Sequence, residues 1–163
     1  MSCSIIKVES KHLGQIHDLN QSVLPAVSSI TEKELTHFLK IADYFRTIIK
    51  ENEIVGFLIA MKPGKNYNSP NYKWFEKNYK QFIYVDRVVI ASAFRGQGFG
   101  REFYYDLNIF SRLFASIICC EVNIKPRNDD SLRFHDKYGF KPVGTQRTNN
   151  GKKEVLMMVY QII

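Results

Sequence analysis

A mixed α/β fold, one sheet with helices on both faces, is what the sequence predicts. Two pairs of strand-like segments flank turn residues and read as antiparallel hairpins, YFRTIIK with EIVGFLIAMK and GFKPVGTQRT with KKEVLMMVYQII. Between them lie two apolar runs, QFIYVDRVVIA and SIICCEVNI, each followed by a segment of helical spacing. Hairpins around a β-α-β-α unit place antiparallel and parallel neighbours in one sheet.

In chain order, Cys3 to Glu9 alternates like a short strand. From Ser10, the apolar residues Leu13, Ile16 and Leu19 recur at helical spacing, and that helix stops near Pro25. Thr31 and Glu34 form a capping-box pattern that starts a second helix through Ile41. Glu51-Asn52 joins the first hairpin and Pro63-Gly64 ends it. Asn66 to Lys80 is polar and aromatic, a loop with a short helix over Tyr72 to Tyr79. After the central strand, Phe99, Phe103, Leu107, Phe110 and Phe114 mark one face of a long helix. The run from Ser116 to Ile124 is that of a strand covered on both faces. Asn128 caps the next helix, Asp129 and Asp130 suit its first turn, and Gly139 ends it. Asn149-Asn150-Gly151 is the turn of the last hairpin. Neither repeat nor linker interrupts this order, so a single domain over residues 1–163 is expected.

Composition narrows the class. With 45% hydrophobic and 24% charged residues the chain is an ordinary globular protein. Its apolar runs are too short to cross a bilayer, and MSCSIIKVESK lacks the layout of a signal peptide. Three cysteines make an odd count, and a bridge between the neighbours Cys119 and Cys120 would be strained. The expectation is a reducing, cytoplasmic setting. Cys119 and Cys120 have no second pair and no histidine at ligand spacing, so they read as small core residues and no metal is expected. The net charge of +7 is spread over scattered Lys and Arg that do not interleave with aromatics. Membrane and nucleic-acid partners are therefore not expected. The basic surface is either merely solvated or a field that draws in a small polyanion.

The stretch RGQGFGRE, Arg95 to Glu102, gives the second alternative substance. It ends a strand in three glycines, Gly96, Gly98 and Gly100, and opens a helix. First-turn amides have no partner within their helix, and the helix dipole adds positive potential, so such a turn suits a phosphate or pyrophosphate. Glycine lets the anion approach without meeting a Cβ. A nucleotide-hydrolase loop would need Lys-Ser/Thr where Arg101-Glu102 stands, and a dinucleotide fingerprint would space the last glycines differently. A tight turn that holds nothing is the plain structural alternative.

With Val88-Val89-Ile90 before it, Arg95-Gly-Gln-Gly-Phe-Gly100 resembles the coenzyme A loop of the GNAT superfamily of N-acetyltransferases. Asn128, Ser131, Phe134 and the run Asp136-Lys-Tyr-Gly-Phe140 resemble a second signature of that family, and YVDRVVI, CEVN and the aromatic insert resemble a little-characterised bacterial branch of predicted acetyltransferases. The resemblance implies a mostly antiparallel mixed sheet of six to seven strands. It implies an acetyl-CoA-dependent N-acetyltransferase acting on a primary amine by direct attack in a ternary complex, with homodimers common in the family. Arg95, Gly96, Gln97, Gly98, Phe99, Gly100 and Arg101 would hold the pyrophosphate of coenzyme A. Val88, Val89 and Ile90 would bond its pantetheine arm, with Asn128 and Ser131 also on the cofactor. The strand carrying Cys119 to Asn123 would splay from the central strand and open a slot.

Removing the amine's proton needs a base, and two carboxylates qualify, Asp86 on the central strand and Glu121 inside the apolar run. Burial would raise the pKa of Glu121 to a useful value. Either could instead serve a structural ion pair, and Arg87, facing away from Asp86, reads as structural. Where the family commonly has a tyrosine acid this chain has His135, either a substitute acid or a role abandoned. Of the aromatic insert, Tyr72 and Trp74, together with Tyr84 of the central strand, are expected to wall the acceptor pocket, or else to form a satellite core. A non-catalytic coenzyme A-binding module or regulator on the same fold is the alternative function.

Overall fold

The computed structural model describes residues 3–163. Seven strands and five helices follow in the order β1 (Cys3–Lys7), α1 (Leu13–Ser22), α2 (Glu32–Ile41), β2 (Tyr44–Lys50), β3 (Glu53–Met61), α3 (Pro70–Asn78), β4 (Phe82–Ile90), α4 (Phe99–Ser111), β5 (Ile117–Lys125), α5 (Asp129–Tyr138), β6 (Lys141–Thr148) and β7 (Lys153–Gln161). The strands form one sheet in the order β1-β2-β3-β4-β5-β7-β6. β4 and β5 are parallel, whereas β1 with β2, β2 with β3, β5 with β7 and β6 with β7 are antiparallel. This is the mixed α/β sheet that the hairpin and crossover patterns predict.

Local chemistry explains where the elements begin and end. Thr31 Oγ1 accepts from the Glu34 amide at 3.0 Å while Glu34 Oε2 accepts from the Thr31 amide at 3.1 Å, a complete capping box. Glu51 and Asn52 take φ of 51° and 65°, the left-handed pair that a two-residue hairpin turn demands, and Asn149 and Asn150 both take 54° in the longer turn between Thr148 and Lys153. Asn128 Oδ1 accepts from the Ser131 amide at 3.2 Å to start α5, and Gly139, at φ 124°, ends it. The structure adds two single 3₁₀ turns that periodicity does not reveal, Ser10–His12 and Ser92–Phe94. Phe114 lies just beyond α4, three residues later than its predicted helical face allows.

Contacts gather the chain into two compact units, with β4 and α4 continuous across the division. One comprises residues up to Met61 and Arg87–Leu107. Its core holds Ile16, Leu35, Ile48, Phe57 and Leu58, with Phe103 and Leu107 of α4 fully buried as their spacing requires. The other comprises Lys62–Asp86 and Asn108–Ile163. There the aromatic insert is core: Tyr72 and Phe75 of α3 are fully buried and pack edge-on or tilted against Phe82 and Tyr84. Cys119 and Cys120 are buried, as small core residues should be. No helix among the described residues is long and apolar enough to cross a membrane.

Buried Arg87 faces away from Asp86, as strand alternation requires, and serves structure. It donates to Asn20 Oδ1 at 2.9 Å and to the Ser28 carbonyl at 3.0 Å, tying β4 to the segment after α1. On β3, Gly56 is a close-approach glycine: a Cβ there would stand 2.4 Å from the Val89 carbonyl oxygen and 2.9 Å from Ile90 Cδ1. The Val55 carbonyl next to it accepts from the Ala91 amide at 2.8 Å. Because backbone must move to admit that atom, Gly56→Ala is expected to cost about 1–3 kcal/mol, read as a lower urea midpoint at unchanged slope.

Candidate active site

The glycine turn has the geometry of an open cradle. Gly96 and Gly98 take φ of 75° and 89°, and a Cβ on either would meet nothing within 4 Å. Their conformation, not crowding, therefore requires glycine. The first bond of α4 runs from the Glu102 amide to the Gly98 carbonyl at 3.1 Å, so the amides of Phe99 and Gly100 have no acceptor within the helix. Buried Phe99 anchors this start, with Phe94 edge-on at 6.3 Å. Two exposed side chains of the turn, Arg95 and Gln97, fold back on carbonyls: Arg95 Nε donates to Ile90 at 3.3 Å and Gln97 Nε2 to Ala93 at 3.4 Å. Both are donors, so neither takes up a loop amide. The Lys50 ammonium stands 5.8 Å and 6.0 Å from the Phe94 and Phe99 rings, a basic group beside the turn that sequence reasoning missed.

The two candidate bases are brought together in the other unit. β4 pairs with β5 at Phe82–Ile117, Ile83–Ile118 and Tyr84–Cys119, and among the described residues their ladder ends there. Two residues further on, in the same register, stand Asp86 and Glu121. Tyr84 donates its hydroxyl to Glu121 Oε1 at 2.9 Å, while Glu121 Oε2 is shut from solvent without a full hydrogen bond among the described residues. The residue as a whole is half-buried, so what exposure it keeps is not at that oxygen. Burial first, and the negative charge of Asp86 second, push Glu121 up to about 8; the Tyr84 hydroxyl and the Asn71 amide pull the other way. Burial and the neighbouring carboxylates hold Tyr84 well above its usual range, so it stays a donor. Asp86 Oδ1 accepts from the Tyr67 hydroxyl. Among the described residues Asn108 Oδ1 and Ser111 Oγ are also buried without partners, but they are neutral groups, whereas Glu121 is ionisable.

The remaining expected site residues fall elsewhere. His135 is buried, its ring edge-on to Phe134 and Phe140, and burial lowers it to about 4. The Ser131 carbonyl at 2.8 Å can only accept, so the neutral ring carries its proton on Nδ1 and spends it there. A neutral imidazole so placed has no proton to give near pH 7, which corrects the expectation of a substitute acid. Asn128 Oδ1 and Ser131 are occupied in the N-terminus of α5. Tyr72 is corrected too: it is fully buried, donates to the Lys62 carbonyl at 2.5 Å and accepts from the Lys65 amide at 3.0 Å, so it is core rather than pocket wall. Half-buried Trp74 lies against Gly144, and Tyr84 belongs to the carboxylate cluster. Tyr67, one of the insert's rings, bonds Asp86; Asn71 and Gln146 are residues that sequence reasoning missed, for the two partners lie 75 positions apart.

Comparison with known proteins places these features in a family. The family model described as "Acetyltransferase (GNAT) family" matches residues 13–140. No curated protein matches the sequence. Among solved structures, Ard1 from Thermoplasma volcanium superposes with a TM-score of 0.80 at 16% identity, over 100% of this chain and 99% of that one. An N-acetyltransferase from Staphylococcus aureus Mu50 gives 0.71 at 13% identity, over 100% of both chains. NAA60 of Arabidopsis thaliana, in complex with a bisubstrate analogue, gives 0.76 at 11% identity, over 98% of both. At such identities these likenesses speak to the fold, and the family model, spanning most of the chain, completes the assignment: the chain belongs to the acetyltransferase (GNAT) family.

Proposed function

We propose that the chain is an acetyl-CoA-dependent N-acetyltransferase, that residues 1–163 act as one acyltransferase domain, and that Glu121 is the base that prepares a primary amine acceptor. The observation that carries this reading is the orphaned Oε2 of Glu121, a buried carboxylate oxygen with no partner and a proton affinity matched to an amine reaction near pH 8. Tyr84 holds the other oxygen, and so fixes the direction in which Oε2 points. Asp86 raises the proton affinity of Glu121, and so works through it. On this reading the two carboxylates have different tasks.

The turn from Arg95 to Arg101 fits a diphosphate, because its glycines hold a positive-φ conformation with open space where side chains would begin. Arg95, Arg101 and Lys50 supply positive charge around it. Coenzyme A supplies the activated acetyl thioester. Glu121 takes one proton from the amine as nitrogen attacks, the carbon–sulfur bond breaks, and the thiol leaves as thiolate. With a thiol pKa of about 8.5 that leaving group needs no dedicated acid, which suits a chain whose His135 is buried and neutral. The same histidine favours the rival, a coenzyme A-binding regulator without catalysis.

Incubation with acetyl-CoA and pooled amines, amino acids and peptides separates the two: the enzyme releases free thiol, the regulator binds coenzyme A and releases none. Gly98→Ala places a methyl in the cradle and strains the turn, so coenzyme A affinity is expected to fall at least about tenfold by calorimetry. Glu121→Gln is expected to lower kcat/KM by about 10²–10⁴ and to abolish a limb that rises with pH through about 8. Its stability effect has the opposite sign. A folded pKa above the unfolded one means that the native state binds the extra proton, so wild-type stability falls as pH rises from the ordinary carboxylate range to about 8. Thermal melts should show Glu121→Gln gaining on wild type through that window and level with it below pH 4.

A further inference from the structure

Helix α3 is fastened to β6 at two matched points. Trp74 fills the space above Gly144, where a Cβ would stand 2.8 Å from the indole Cζ2. Asn71 Oδ1 accepts from Gln146 Nε2 at 2.8 Å. Asn71 and Trp74 are three residues apart on one helix face, and Gly144 and Gln146 two apart on one strand face, so the pairs meet in step. The docking does more than seal a surface. An asparagine amide has an acceptor end and a donor end. With the acceptor end given to Gln146, the donor end is the one left for Glu121, whose charged form the Asn71 amide favours. The Asn71 amide acts on Glu121 as a side-chain hydrogen-bond donor, short of full hydrogen-bond geometry at Oε2 among the described residues.

Resting on the reading of Glu121 as base, we infer that Asn71 is a positioning residue for it, oriented by Gln146, and that α3 thereby controls the pH at which the site can work. Its neighbours define what else acts on that carboxylate. Tyr84 and Asp86 face it from β4, Tyr67 reaches the cluster from the segment before α3, Cys119 lies on its own strand, and β7 sets Met157 beside it. Asn71 is the neutral donor from the insert in this set, and Gln146 decides which end of it faces inward. If Gln146 is lost, the amide can turn over and present its oxygen to the carboxylate instead.

Asn71→Asp is the informative variant, since it keeps the shape and the acceptor for Gln146 while replacing a donor with a negative charge. The rising limb of kcat/KM is expected to move up by about one pH unit or more, and in Gln146→Leu by about half a unit. A fastening role alone would lower the plateau in both and leave the limb where it stands. That result would overturn the inference. Carbon-13 NMR titration of the Glu121 carboxyl, assigned by its absence in Glu121→Gln, reads the same shift without turnover. If Glu121→Gln keeps the limb, the assignment of the base fails, whereas an unmoved carboxyl titration in Asn71→Asp sinks the positioning role by itself.

Discussion

Three backbone pairs, Phe82–Ile117, Ile83–Ile118 and Tyr84–Cys119, set the chemistry that the second unit can do. Because side chains alternate along a strand, that register puts Tyr84, Asp86, Cys119 and Glu121 on a common face. A slip of one residue would turn Glu121 to the other face and leave the Tyr84 hydroxyl without its carboxylate. The ladder also ends where it must. Continued by two more residues, it would pair Asp86 with Glu121 and close the strands beside the carboxylates.

The buried polar groups sort by whether the fold answers them. Arg87 has Asn20 and Ser28, His135 has the Ser131 carbonyl, and Tyr44 donates to Asp106 at 2.7 Å beside Arg46. Each is part of how the chain holds together. Glu121 is only half answered: Tyr84 serves one oxygen and the other stands alone. A buried polar atom without a partner costs about 1–3 kcal/mol, and native structures keep such atoms where they have work to do. The burial that creates this cost also raises the proton affinity. Stability and reactivity are opposite readings of the same burial.

Most of the fold is legible in the sequence because its determinants are local. Thr31 with Glu34, Glu51-Asn52, Asn128 with Ser131, and the positive-φ glycines of the phosphate turn each act within about four residues. The site around the base is not local. Tyr84 meets Glu121 across 37 positions, and Asn71 meets Gln146 across 75, so no window of sequence contains either pair. Residue type alone could nominate Glu121, His135 and Tyr72, but it could not choose between a site role and a structural one. Histidine suggests an acid until burial is known, and a tyrosine in an insert suggests a pocket wall until its hydroxyl is found between Lys62 and Lys65.

The glycine turn and the carboxylate cluster therefore constrain sequence differently. A turn that holds a diphosphate needs glycine at two backbone positions and little else, so the same few residues can recur in chains that share almost nothing more. A buried base needs a strand register, an apolar run, a second carboxylate and an oriented amide, contributed here by β4, β5, α3 and β6. Many combinations can meet that need, and each makes a different acceptor space. Structures 11–16% identical to this chain accordingly carry over its architecture while leaving its acceptor open. On the proposed reading the acceptor is chosen by what faces Glu121, which in this chain includes Tyr84 and Asp86.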